Sequence, residues 1–100
     1  MLKPGVRLRS QCCATEVIVV RVAGDPEVRC GGHPMIDLTA TPAQGLVLHS
    51  AFTAGSALGK RYTDPDGNLE LLVTHAGAGS LSLGALTLVQ KTAKPLPSSD

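Results

Sequence analysis

In this chain of 100 residues only a few side chains are equipped for chemistry: three cysteines, three histidines, and carboxylates that fall singly or in turns. Cys12 and Cys13 are adjacent. Cys30 stands three residues before His33 in RCGGHPM, residues 29–35, with a double glycine between the two. Thiolate and imidazole are the usual ligands of zinc, and thiolate also serves iron, so Cys12, Cys13, Cys30 and His33 form a candidate metal set. The same thiols could instead be reactive groups or small buried hydrophobes. An odd cysteine count does not fit a secreted disulfide framework, where even counts are the rule, and the expectation is a cytoplasmic protein in a reducing compartment.

Other candidates carry weaker chemistry. His49 and His75 each follow an apolar run, where a histidine more often satisfies a neighbouring backbone group than acts as a base. Ser50 beside His49 is no nucleophile pair, because successive residues of a strand point to opposite faces. AGAGS, residues 76–80, has the small residues of a phosphate loop but neither its lysine nor a following helical pattern, and is expected as a hairpin turn. DPDGN, residues 64–68, lacks the ligand series and closing glutamate of a calcium loop. Lys60 and Arg61 beside Tyr62 suit a solvated strand face. No catalytic residue is assigned, and the balance lies against a stand-alone enzyme.

Composition narrows the classes further. Nine basic residues nearly balance eight acidic ones, and Phe52 and Tyr62 are the only aromatics, so both the field and the stacking platforms of a nucleic-acid binder are missing. No run reaches the length of a transmembrane helix, and MLKPGVRLRS has no apolar segment of signal-peptide type, so no membrane association is expected. With 43% hydrophobic residues, the core must be made of Val, Leu, Ile and Ala. A chain of this length forms one domain, burying about two thirds of the surface exposed when unfolded.

The elements that must position the cysteines are strands. EVIVVRV, residues 16–22, is a near-continuous β-branched run suited to a strand covered on both faces or nearly so. AGDP then turns the chain, and EVRC is expected to return as its antiparallel partner, Val28 and Cys30 on one face, Glu27 and Arg29 on the other. VRLRS alternates as a short strand leading into the cysteine pair. DPDG supplies the tight reversal between two further strands, and Gly84 interrupts the alternation of Leu81, Leu83, Leu86 and Leu88 as a turn or bulge. Residues 36–57 hold one short apolar run in a stretch of small residues and could be a loop or a short helix. The expectation is all-β: one small domain over residues 1–93, with a hairpin unit at 7–35, a β-meander at 58–91, and an extended tail at 94–100.

RLRSQCCATEVIVVRVAGDPEVRCGGHPM resembles the desulforedoxin-type module of the rubredoxin-like proteins, which runs from Cys-x-x-Cys through a hydrophobic strand and a turn to a Cys-Cys-Gly-x-x-Met end. The resemblance covers residues 7–35, including Gly32 and Met35. It implies a metal knuckle in which Cys13 and Cys30 fall on ligand positions, while Ser10 and Gly31 occupy the other two. His33, and Cys12 beside Cys13, could complete a set better suited to zinc than to a rubredoxin-type iron. The alternative is a module that keeps the fold without a metal, with Cys13 and Cys30 close enough for a disulfide or for packed thiols, and a Cys12–Cys13 vicinal disulfide as the last choice.

Two functions follow. The first is a non-catalytic accessory or assembly subunit that docks onto a larger enzyme or self-associates through β surfaces, since an apolar surplus in so small a chain invites a protein partner or homo-oligomer. The second is a small zinc- or iron-binding redox protein that uses Cys13, Cys30 and His33.

Overall fold

The computed structural model describes residues 2–91. The expected domain end at 93 and the expected tail at 94–100 lie outside the described residues. All regular structure here is β: β1 (Arg7–Arg9), β2 (Glu16–Val22), β3 (Val28–Cys30), β4 (His33–Pro34), β5 (Ile36–Asp37), β6 (Arg61–Thr63), β7 (Leu69–His75), β8 (Leu81–Leu83), β9 (Leu86–Thr87) and β10 (Val89–Gln90). They form two antiparallel sheets, one of six strands in the order β10-β6-β7-β2-β1-β5 and one of four in the order β4-β3-β8-β9. No helix among the described residues is long and apolar enough to cross a membrane.

The two seven-residue strands, β2 and β7, lie side by side at the centre of the larger sheet. Their inward positions, Val17, Val19, Leu69, Leu71 and Val73, are fully buried and join Leu81, Val28 and Cys30 of the smaller sheet in one core. Each such aliphatic side chain contributes roughly 1.5–3 kcal/mol relative to exposure. The β-branched run of β2 is covered on one face only. Ile18 is half-buried and Val20 lies at the surface, because a bulge at Val20 shifts the register between Val19↔Leu71 and Arg21↔Glu70.

The expected pairing of residues 27–30 with β2 does not form. Both edges of β2 are already occupied, by β1 and by β7, so the chain passes through the turn at Gly24 (φ +74) into the other sheet, where β3 pairs with β4 and β8. The facing of Val28 and Cys30 inward holds all the same. The expected meander divides into two hairpins, β6–β7 in the larger sheet and β8–β9 in the smaller. DPDG reverses the chain as expected: Asp64 is buried, accepting the N–H of Leu69 at 2.9 Å, and Gly67 takes φ +72. Gly84 turns β8 into β9. Beyond the short β5, residues 38–57 form an extended loop without a helix. Tyr62 is no surface residue: it belongs to the core, and its hydroxyl accepts the N–H of Ala57 at 3.0 Å.

Candidate functional site

RCGGHPM is a hairpin. Cys30 and His33 are partners in the β3–β4 register, and Gly31 and Gly32 between them both take positive φ, +65° and +88°, as a two-residue turn of the I′ kind requires. The loop is laid over this turn, with His49 N donating to Gly31 O at 2.9 Å. A Cβ at Gly31 would stand 2.5 Å from Leu48 Cδ2 and 2.6 Å from Cys12 Sγ.

His33 is held by the same loop. Its Nε2–H donates to the carbonyl of Val47 at 2.7 Å, and among the described residues no group of three or more His, Cys, Asp or Glu side chains is placed to hold a metal ion. The four-ligand set of Cys12, Cys13, Cys30 and His33 is therefore not assembled, because the hairpin that aligns His33 with Cys30 also hands its ring to the loop. His49 does what a histidine after an apolar run often does, accepting the N–H of Ala51 at Nδ1.

The structure does bring Cys13 and Cys30 together, across two sheets rather than across one hairpin. Their sulfurs are 3.6 Å apart, and all three cysteines are free. Cys30 is completely buried, whereas Cys12 and Cys13 are half-buried. Cys12 Sγ faces the carbonyl of Cys30 at 3.5 Å.

Three features that the sequence did not mark as functional surround this pair. The first is Ser10, buried at the end of β1, whose Oγ accepts the N–H groups of Cys12 and Cys13, each at 3.2 Å. The neutral Cys13 thiol donates to the same oxygen at 3.2 Å, and once the sulfur is ionised the Ser10 O–H can turn to donate to it. The second is Thr15, fully buried, whose Oγ1 accepts the neutral Cys13 thiol at 3.3 Å and lies 2.6 Å from Ser56 Oγ; with Ser56 donating to it, Thr15 can donate in turn to the ionised sulfur. The third is AGAGS, which is not a hairpin turn but the crossing from β7 to β8. A Cβ at Gly79 would lie 2.9 Å from Cys30 Sγ and 3.1 Å from Cys13 Sγ, and one at Gly77 would collide with Thr15. The paired G-x-G, with glycines two apart on one side of an extended segment, was the sequence signal for this close approach.

These contacts set the two thiols apart. Burial raises the pKa of Cys13, but the hydroxyls of Ser10 and Thr15 and the backbone N–H groups of Thr15 and Gly79 outweigh it and bring the thiol down to about 7. Burial, with the neighbouring Cys13 charge second, pushes Cys30 up to about 12. Cys12 is also raised, mainly by burial, against the hydrogen bond from Ser10. Near neutral pH the arrangement leaves Cys13 about half ionised beside a protonated, buried Cys30.

Cys13 opens into a cleft of about 230 Å³ lined also by Arg9, Ser10, Thr15, Glu16 and His75. Arg9, Glu16 and His75 form a cross-strand row over β1, β2 and β7, with Arg9 opposite Glu16 and Glu16 opposite His75. The second pairing exists because Thr74 is an extra residue in β7, so that His75 stands where a regular ladder would put Thr74. No protein family, curated protein or solved structure matches the chain.

Proposed function

We propose that the chain is a small thiol-redox protein in which Cys13 and Cys30 pass between a dithiol and a disulfide, with Cys13 the attacking and Cys30 the resolving thiol. The observation that carries this reading is the 3.6 Å separation of a donor-stabilised sulfur from a fully buried one. Closing a bond of roughly 2.05 Å asks for a small rotation of side chains rather than a rearrangement of strands. The metal-free form of the knuckle resemblance is in keeping with it: Ser10 Oγ receives the two amides that follow it, and Gly31 and Gly79 bring backbone against sulfur. A low pKa at the accessible thiol and a high one at the buried thiol is the division of labour that thiol–disulfide exchange uses.

Alkylation after oxidation tests the proposal. Diamide-treated protein should retain one alkylatable thiol, Cys12, and lose two hydrogens in mass, with Cys13→Ser or Cys30→Ser abolishing the mass loss. Three thiols still alkylatable, or a bridge found between Cys12 and Cys13, would overturn it.

A second reading, the accessory subunit, rests on exposed apolar side chains. Val47, Leu58 and Val89 are 74%, 64% and 57% exposed, and Leu58 borders an apolar cleft with Thr74, His75 and Ala76 beside the thiol cleft. Pairing through sheet edges has less to recommend it. The outer strands β4, β5, β9 and β10 are each two residues long, a length that discourages added strands. Native mass measurement on untagged protein tests the docking reading. A mass above one chain that Leu58→Asp returns to one chain supports it, and a single chain at every concentration removes self-association.

A further inference from the structure

The row of Arg9, Glu16 and His75 has no part in the dithiol chemistry so far described, yet it stands at the opening through which Cys13 is reached. Among the described residues none of the three enters an ion pair, although Arg9 and Glu16 face each other in the ladder. Arg9 Nε is buried with no hydrogen-bond partner among the described residues, a state that a guanidinium donor rarely keeps. Arg9 and Glu16 thus line the same cleft as Cys13, opposite in charge and without an ion pair between them, which suits them to the two ends of a small molecule of mixed charge.

Resting on the thiol-redox reading, we infer that this cleft receives one half of a low-molecular-weight amino-acid disulfide, with its carboxylate on Arg9, its ammonium on Glu16 and its sulfur at Cys13. The Cys13 thiolate attacks the near sulfur of RS–SR, forming Cys13–S–SR and releasing RS⁻. Cys30 then gives its proton to that thiolate and attacks Cys13 Sγ, forming the Cys13–Cys30 disulfide and releasing the second half, which takes a proton from solvent. The sum is dithiol plus RSSR giving protein disulfide plus two RSH. The protein loses the two electrons that the small disulfide gains. Complete burial of Cys30 means that the small molecule meets Cys13 alone, and the same burial, which disfavours the charged form of Cys30, makes resolution slow, so the mixed disulfide on Cys13 accumulates.

The test uses three disulfides differing in charge: cystine, which carries both groups; cystamine, which carries the ammonium alone; and dithiodiglycolate, which carries the carboxylate alone. Rates of adduct formation on Cys13 are followed by intact mass in a Cys12→Ser, Cys30→Ser background, in which only Cys13 reacts. Arg9→Gln should slow cystine and dithiodiglycolate roughly two- to fivefold, the size of one partly exposed ion pair, and spare cystamine. Glu16→Gln should slow cystine and cystamine and spare dithiodiglycolate. Uncharged iodoacetamide should alkylate Cys13 equally fast in all of them. Variants that slow the three disulfides alike, or none, would overturn the cleft assignment while leaving the dithiol intact. Absence of any Cys13 adduct, together with no Cys13–Cys30 bridge in the unsubstituted protein, would instead remove the reading on which it rests.

Discussion

The paired strands β2 and β7 and the cysteine end just beyond them are built on opposite principles. Along β2–β7 the fully buried positions are Val17, Val19, Leu69, Leu71 and Val73, held by a ladder and by apolar burial that needs no particular angle. At the cysteine end the buried residues include Ser10, Thr15, Ser56 and Ser80, and each hydroxyl is matched to a partner. Ser10 meets two amides and a sulfur, Thr15 meets Ser56 and Cys13, and Ser80 accepts the N–H of Ala54 at 2.8 Å. One region supplies stability, and the other spends directional bonds on the state of a single sulfur. Variants in the two regions should therefore fail differently.

The largest effect is expected in the first region. Leu71→Ala empties a fully buried position on the central strand and should cost about 2–5 kcal/mol, a large share of the roughly 5–15 kcal/mol available to a domain. Urea unfolding measures it. Under conditions where the variant is still folded, the pH dependence of Cys13 alkylation should be unchanged, and a shifted profile would show that the regions are not separable. Gly79→Ala acts in the reverse sense. Its Cβ would crowd Cys30 Sγ and the backbone N of Gly31, both at 2.9 Å, and Cys13 Sγ at 3.1 Å, which should cost about 1–3 kcal/mol and, more tellingly, alter the alkylation profile of Cys13. A Gly79→Ala protein with a normal thiol would break the claim that close backbone approach makes the site.

Ser10→Ala sharpens the comparison without touching volume in the core. The thiolate is the nucleophile, so alkylation of Cys13 should rise with pH and level off above about 7 rather than continuing toward the ordinary thiol value. Removing the Ser10 hydroxyl takes away a donor that favours the charged form, so the inflection should move upward. It should move upward also in Thr15→Val, and least in Cys12→Ser, because Cys12 is not among the groups that lower Cys13. A downward shift in Ser10→Ala would mean that the hydroxyl serves the neutral thiol instead.

What could be read in the sequence divides along the same line. EVIVVRV and the turn DPDG declared themselves, because β-branched density and Asp-Pro-Asp-Gly chemistry are local properties. Which strand lies beside β2 was not local. EVRC has the length, turn and facing of a hairpin partner, and only the occupation of both β2 edges by β1 and β7 sends it to the other sheet. Cys13 and Cys30 were expected near each other and stand 3.6 Å apart, but across two sheets rather than along one hairpin. Ser10 and Thr15 were illegible as functional groups because a serine or threonine gains that meaning from burial beside a sulfur, which no spacing encodes. His33 shows the converse: three residues from Cys30 is ligand spacing, yet its ring N–H is accepted by the carbonyl of Val47 in the loop, a partner that no local pattern announces.

The smallest effect concerns a charge that belongs to the stability region. Glu70 lies in β7 with its carboxylate nearly covered, bonded to Lys91 at 2.9 Å and Arg61 at 3.1 Å, each about half exposed. The Lys91 hydrogen bond, against burial that acts the other way, and with the charges of Lys91 and Arg61 added, holds its carboxyl below the ordinary glutamate value. The unfolded chain therefore binds this proton at a higher pH than the folded one, and stability falls as pH drops from the ordinary carboxylate range through the folded value. Above that range the contribution is complete and flat. Glu70→Gln should reduce the difference between urea midpoints measured near neutrality and near about pH 3, and should leave the Cys13 inflection where it was. The two readouts together locate Glu70 in the scaffold. An altered thiol profile in this variant would place it in the site instead, since the covered carboxylate would then be coupled to Cys13 through the β2–β7 ladder.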